Sequence, residues 1–239
     1  MVKRKALFIS LIITFFLLAG CTGGKDTGNG KSRGGEDAGY TPDNVTVTSA
    51  EHFPAAAGLY KRFEGPDDEW EETVGEPEKF DGKQVIPIHT KKLNVRKTGP
   101  AGGDDVEVDE YTNFYVVGQE VLFVGSRANI DNQVADENIP VPSVIFKTGL
   151  KKGESWTYEL YYPPGQVKAT VEGFETLTTK AGTFKGTAKI KLDYNFLDDE
   201  GREITARLYE WYAPGYGMVK SQGDEEGVTG EVVEVKKGR

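Results

Sequence analysis

The sequence is poor in the side chains that most enzymes use for nucleophilic or metal-dependent chemistry. Its 239 residues include one cysteine, Cys21, and two histidines, His52 and His89. A zinc site needs three or four cysteine, histidine or carboxylate ligands at suitable spacing, and a serine or cysteine nucleophile needs a base beside it. We therefore predict no metal site, no cofactor and no enzymatic activity for this chain.

Positive charge is scarce as well. The chain has 29 lysines and arginines against 38 acidic residues, a net charge of −9. A nucleic-acid partner requires cations to neutralise its phosphates, so the composition argues against one. Removing Lys3, Arg4 and Lys5 with a leader would take the net charge to −12. An anionic membrane surface should repel a body of that charge.

Long apolar runs are also missing, except at the N-terminus. Residues 6–20, ALFISLIITFFLLAG, follow a basic start and carry no charge. This run falls short of the ~20 residues of a spanning helix and suits a secretory signal. The residues LAGC at 18–21 resemble the lipobox of bacterial lipoproteins. The resemblance implies a signal peptide over residues 1–20 and a diacylglyceryl group on Cys21, with the new N-terminus acylated, for example by palmitate.

Residues 21–44 are predicted to be the lipidated cysteine and a flexible tether. Seven glycines lie in residues 22–39, and such a composition cannot bury a core. About 23 residues of flexible chain have a root-mean-square reach of ~25–30 Å. We therefore expect a cell-membrane protein that faces the extracytoplasmic side and meets the membrane through its lipid anchor.

From residue 45 the pattern changes to strands. In SWTYELYY, the residues Trp156, Tyr158, Leu160 and Tyr162 alternate with polar ones, and TAKIKLDYNF alternates in the same way. Period-two alternation predicts half-buried strands. We expect residues 45–239 to form one all-β domain, a single curled, strongly twisted antiparallel sheet resembling an open half-barrel, with a meander in its C-terminal half. Its halves, about 45–146 and 147–239, are candidate pseudo-repeats.

Several local features of these strands can also be predicted. Gly118-Gln119 fits a hairpin turn, and residues 197–201, LDDEG, fit another. Pro87 indicates an edge or a bulge, because proline cannot donate to a ladder. Gly173 marks a bend, and the alternation slips at Tyr209–Trp211, which suggests a bulge.

Three segments between about residues 149 and 222 carry a family resemblance: LKKGESWTYEL, VEGFETLTTKAGTFKGTAKIKL and EWYAPGYGMVKSQ. They resemble a pattern of many bacterial exported proteins, those of the TapB-like or DUF3108-like families. The resemblance implies an open, curled antiparallel sheet and brings no catalytic residue with it. Phe174 and Lys180 depart from the pattern without affecting that fold.

Three functions stay open. The first is a non-enzymatic binding or scaffold domain with an unknown ligand or protein partner. The second is a carrier or sensor of an apolar ligand held in the curled sheet, and the third is an envelope hydrolase that uses two of the 38 acidic residues. The acidic clusters themselves are predicted to be solvated turns. Five aromatic residues could fill the core or line a ligand face: Trp156, Tyr158, Tyr162, Trp211 and Tyr212.

Overall fold

The computed structural model describes residues 46–47, 49–66, 69–93, 110–130, 133–161, 163–198, 200–224 and 228–238. Cys21, the tether and Tyr162 lie outside these residues, so the statements about them stay predictions. Within the described part of the chain, no helix has the length and hydropathy needed to cross a membrane.

The described chain contains one helical turn and a series of strands. The turn α1 spans Ser49–His52. The first half contributes β1 (Tyr60–Glu64), β2 (Glu69–Val74), β3 (Glu78–Phe80), β4 (Lys83–Lys92), β5 (Glu110–Val117), β6 (Glu120–Ile130) and β7 (Gln133–Lys147). The second half contributes β8 (Ser155–Leu160), β9 (Gly165–Thr179), β10 (Gly182–Leu197), β11 (Glu203–Ala213), β12 (Gly217–Gly223) and β13 (Val228–Lys236).

These strands form a single antiparallel sheet. Its order is β7-β6-β5-β4-β2-β1-β13-β12-β11-β10-β9-β8, and β3 pairs separately with β4. Each half of the chain is therefore a meander, and the ladder between β1 and β13, with Tyr60 opposite Lys236, joins the two. The prediction of one curled all-β sheet with a C-terminal meander is confirmed. The curl goes further than a half-barrel, because the sheet nearly closes on itself.

The two edge strands, β7 and β8, meet along a seam that side chains bridge. Ser143 Oγ donates to the Glu159 carbonyl at 2.6 Å, and Trp156 Nε1 donates to the Val144 carbonyl at 3.1 Å. The strand pairings of the described residues include no ladder between β7 and β8. Pro140, which lies in β7, has no backbone N–H to offer to such a ladder. The seam is thus held by side-chain donors instead of a ladder.

The predicted turns and bulges lie close to where the sequence indicated. Gly118-Gln119 connects β5 to β6, and residues 198–202 connect β10 to β11. The pairing of β9 with β10 shifts register between Lys189 and Ile190, opposite Gly173. The pairing of β11 with β12 shifts between Trp211 and Tyr212. The bend and the bulge in these strands are confirmed.

The prediction that Pro87 marks a sheet edge or a bulge is wrong, because the register of its strand with β5 is continuous at this residue. Its strand, β4, is internal, and Pro87 itself lies opposite Phe114 of β5. On the other side of β4, β3 pairs as far as Val85 and β2 pairs only from Ile88 onward. Proline fits there because it lies in the gap between two partner strands, where no ladder bond needs its N–H. Its carbonyl accepts a bond from the Gly75 N–H at 2.9 Å.

The interior is filled mainly by apolar side chains. The main core cluster combines Trp156, which is 7% exposed, with fully buried residues such as Val167 and Val171. A second cluster holds Trp211, which is 5% exposed, against Phe63 and other buried residues. Both tryptophans therefore lie in the core.

An N-terminal segment, residues 46–59, ties the two halves together. Val47 exchanges backbone hydrogen bonds with the loop between β7 and β8, to Gly149 at 2.8 Å and Leu150 at 3.0 Å. The Phe53 ring packs edge-on against Tyr115 of β5, with 5.1 Å between ring centroids. Pro54 lies so close to Gly217 that a Cβ there would come within 2.3 Å of it. The segment therefore contacts the first half through β5 and the second half through β12.

Candidate functional site

Polar side chains from both halves of the sheet meet in its interior. Tyr115, Tyr158 and Tyr194 belong to the main core cluster, and Tyr212 packs against it. Glu72 and Tyr111 lie opposite the same buried residue, Thr90, and continue this face of the sheet. We call the following seven residues the interior polar cluster: Glu72, Tyr111, Tyr115, Tyr158, Tyr194, Glu210 and Tyr212.

Glu210 is a carboxyl inside the sheet. Its direct partners on the neighbouring strands are Ile190 and Ser221, which are 1% and 7% exposed. Residues directly opposite each other share a face of the sheet, so Glu210 points inward with them and is half-buried. Tyr212 Oη donates to Glu210 Oε2 at 2.5 Å. Burial raises the pKa of Glu210; the Tyr212 hydrogen bond acts against this shift, and the charge of Glu72 adds to it.

The tyrosines of the cluster are held in their neutral form. Burial raises the pKa of Tyr158, and the charge of Glu210 adds to that shift. Burial and the charge of Glu210 also raise the pKa values of Tyr115, Tyr194 and Tyr212. Burial also raises the pKa of Tyr111 to about 12. The cluster therefore presents uncharged phenolic hydroxyls, which both donate and accept hydrogen bonds.

One buried lysine neutralises one of the two interior carboxyls. Lys61 is 1% exposed, and its Nζ lies 2.9 Å from Glu72 Oε2. The same ammonium donates to the Met218 carbonyl at 3.0 Å and lies 5.0 Å from the centre of the Phe63 ring. Among the described residues, no cation lies within 4.0 Å of Glu210, which accepts its hydrogen bond from Tyr212. One interior carboxyl is thus paired with a cation and the other is not.

The structure separates the aromatic residues that the sequence singled out. Tyr158 and Tyr212 belong to the interior polar cluster, and Trp156 lies beside it at the seam. Trp211 belongs to a different environment, where its Nε1 donates to Glu175 Oε1 at 2.5 Å and Lys220 Nζ lies 4.8 Å from its ring. Tyr162 is outside the described residues.

Glu210 was missed from the sequence although a signal was present. Ile204, Ala206 and Leu208 alternate with polar residues along their strand, and continuing that alternation puts residue 210 on the same face. The slip of the alternation at Tyr209–Trp211 hides this signal, and Glu210 lies outside the acidic clusters that were predicted to be solvated turns. Glu210 is interior because its partners on the strands on both sides are buried.

An open groove of about 480 Å³ lies elsewhere, across β9, β10 and β11. Three of its charged side chains pair with one another: Arg207 Nε donates to Asp193 Oδ1 at 2.6 Å, and Arg207 also lies 3.6 Å from Asp224. The fourth, Lys168, is exposed to solvent. An open groove with these charges offers a ligand less than an interior carboxyl without a cation does. In the part of the chain that the structure describes, no three histidine, cysteine or acidic side chains come together as a metal site would require.

Comparison with known proteins gives a family match and two similar structures. The DUF3108-like family matches residues 151–227, which span β8 to β12 and confirm that part of the resemblance. A protein from Bacteroides fragilis NCTC 9343, proposed to be exported and to have a YmcC-like fold, is 15% identical with a TM-score of 0.44, over 79% of this chain and 100% of that one. A proposed lipoprotein from Parabacteroides distasonis ATCC 8503 is 17% identical with a TM-score of 0.44, over 78% of this chain and 99% of that one. No curated protein matches the chain.

Proposed function

We propose that this chain is a lipid-anchored, extracytoplasmic binding protein that holds a small molecule inside its curled sheet and does not catalyse a reaction. The anchoring part of the proposal is supported by the LAGC pattern at residues 18–21 behind a signal-like apolar run. The binding part is supported chiefly by one observation: Glu210 is a half-buried carboxyl inside the sheet, among tyrosine hydroxyls from both halves.

A buried carboxyl such as Glu210 is unfavourable in a core that serves only the stability of the fold. Taking a carboxyl out of water costs free energy unless other groups satisfy it, and an apolar residue opposite Ile190 would avoid that cost. Small-molecule sites combine mostly apolar walls with a few convergent polar groups that orient the ligand. The interior polar cluster within the main core cluster has this composition.

The alternatives fit the interior less well. A carrier of an apolar ligand would place alkyl groups against Glu210 and leave its charge without a partner. A hydrolase of the glycosidase type needs two carboxyls in separate acid and base or nucleophile roles. The second interior carboxyl, Glu72, is instead neutralised by Lys61 at 2.9 Å. Binding without turnover is the function that these contacts support best.

Native mass spectrometry of the full chain tests the binding proposal. The protein would be extracted from its host membranes in a mild detergent and measured intact. We expect a non-covalent mass beyond the protein and its lipid, lost on denaturation and reduced in Glu210→Gln. A spectrum that contains only the lipidated chain under all mild conditions would contradict a stably bound ligand.

Anchoring through Cys21 is tested by substitution. We expect Cys21→Ala to abolish both lipid attachment and cleavage after residue 20, because the modified sulfur is the substrate of both steps in the lipoproteins that the LAGC pattern resembles. Intact mass and partitioning into a detergent phase measure this, and Thr22→Ala serves as the matched control. If the Cys21→Ala protein is still cleaved after residue 20 and still enters the detergent phase, the anchoring proposal is contradicted.

A further inference from the structure

We propose that the ligand held inside the sheet is an organic ammonium ion, bound by the carboxylate of Glu210 between the surrounding tyrosines. This inference rests on the proposed function, because it names the class of molecule that the interior would hold. The tyrosines concerned are Tyr115, Tyr158, Tyr194 and Tyr212.

The first argument is the balance of charge inside the sheet. The interior polar cluster has two carboxyls, and Lys61 is committed to Glu72 at 2.9 Å and to the Met218 carbonyl at 3.0 Å. A carboxylate can accept about four hydrogen bonds, and from the described residues Glu210 receives one, from Tyr212 at 2.5 Å. A ligand that brings a positive charge would supply the missing partner. An anionic ligand would be repelled by the carboxylate of Glu210, which no lysine neutralises.

The second argument is the aromatic surroundings of Glu210. Tyrosine rings attract cations through their negative faces, and phenolic oxygens also accept bonds from ammonium N–H groups. Packing holds these rings in place: Tyr212 lies 5.0 Å from Phe146, and Tyr115 lies 5.8 Å from Phe123, measured between ring centroids. A carboxylate that one tyrosine hydrogen-bonds, inside a core that holds three more tyrosines, has the chemistry of an ammonium site.

The third argument is that the walls suit an organic cation better than a metal ion. Calcium takes six to eight oxygen ligands, whereas the described residues bring no three acidic, histidine or cysteine side chains together. Next to Glu210, the paired residues Leu192 and Leu208 offer hydrocarbon surface. Methylene or methyl groups attached to the nitrogen can contact that surface while the charge faces Glu210.

Two probe molecules of the same shape, one charged and one neutral, separate the effect of charge on binding from the effect of size. The full chain in detergent would be titrated calorimetrically with choline chloride and with 3,3-dimethylbutan-1-ol, its uncharged isostere, at matched sodium chloride. We expect choline to bind at least about tenfold more tightly, equivalent to about 1.4 kcal/mol. Glu210→Gln should lose that preference and leave the affinity for the alcohol unchanged. Glu203→Gln, an exposed residue of the same strand, should behave like the wild type.

Equal affinity for both probes, or choline binding that survives Glu210→Gln, would overturn the ammonium proposal. So would the absence of choline binding at millimolar concentration. In each of these cases a bound mass in native spectra would still uphold the proposed binding function, so the two failures are distinguishable. If Glu210→Gln does not fold, as judged by circular dichroism, the comparison of the two probes on the wild-type chain decides.

Discussion

Replacing Lys61 by methionine should destabilise the protein by about 3–5 kcal/mol, the usual cost of leaving one partner of a buried ion pair unmatched. Lys61 is 1% exposed and Glu72 16% exposed, so water cannot fully replace the lost ammonium. The Met218 carbonyl would lose its donor as well. Urea unfolding of the full chain in detergent, followed by circular dichroism, measures the change.

Two further variants make this test specific. Adding Glu72→Leu to Lys61→Met should recover most of the loss, because a buried pair can often be replaced by apolar residues without large cost. Lys180→Met removes an ion pair of similar length, 2.7 Å to Glu64, whose partners are 59% and 43% exposed. It should change stability little, because exposed pairs are well solvated. If Lys61→Met lowers the free energy of unfolding as little as Lys180→Met does, the buried pair does not stabilise the fold.

Truncating either buried tryptophan to alanine should cost about 3–5 kcal/mol, the range for removing a large aromatic side chain from a core. Trp156 and Trp211 are 7% and 5% exposed, and each donates its indole N–H to an oxygen. A loss of this size could unfold a domain of ordinary stability. Urea unfolding of the full chain is again the measurement.

Tyr161→Ala is the matched control for the tryptophans. Tyr161 is 52% exposed, directly after β8, so its removal should have a small effect. Trp156→Phe separates packing from hydrogen bonding, because phenylalanine keeps much of the buried ring and loses the bond to the Val144 carbonyl. If both alanine variants lower the free energy of unfolding by less than about 1 kcal/mol, these side chains contribute little to the packing of the core.

Individual strands and turns could be predicted because residues close together in the sequence determine them. Alternation of buried and exposed side chains gives β8, with its pattern from Ser155 to Leu160. Pro214 and the glycines around it mark the turn after β11, where Gly215 and Gly217 have φ angles of 77° and 73°. Such positive φ values favour glycine, so the residue type alone points to the turn.

The candidate site depends on contacts that no local pattern contains. Lys61 lies two residues before Phe63 and shares its buried face, yet a lysine is usually exposed. Only the pairing of β1 with β2 brings Glu72 directly opposite Lys61. Glu210 meets tyrosines of β5 and β8 because the sheet curls until its ends approach. Curvature and long-range register follow from the summed twist of many strands, which the sequence of one strand does not reveal.

We expect the ladder between β1 and β13 to form late in folding. It pairs residue 60 with residue 236, whereas neighbouring strands within each meander are connected over much shorter stretches. Contacts between residues far apart in sequence form slowly, because a long loop must close before they stabilise the chain. The hairpins of each half can therefore form early, and the halves join late. Glu72 and Glu210 lie in different halves, so the interior polar cluster is assembled only after this slow step.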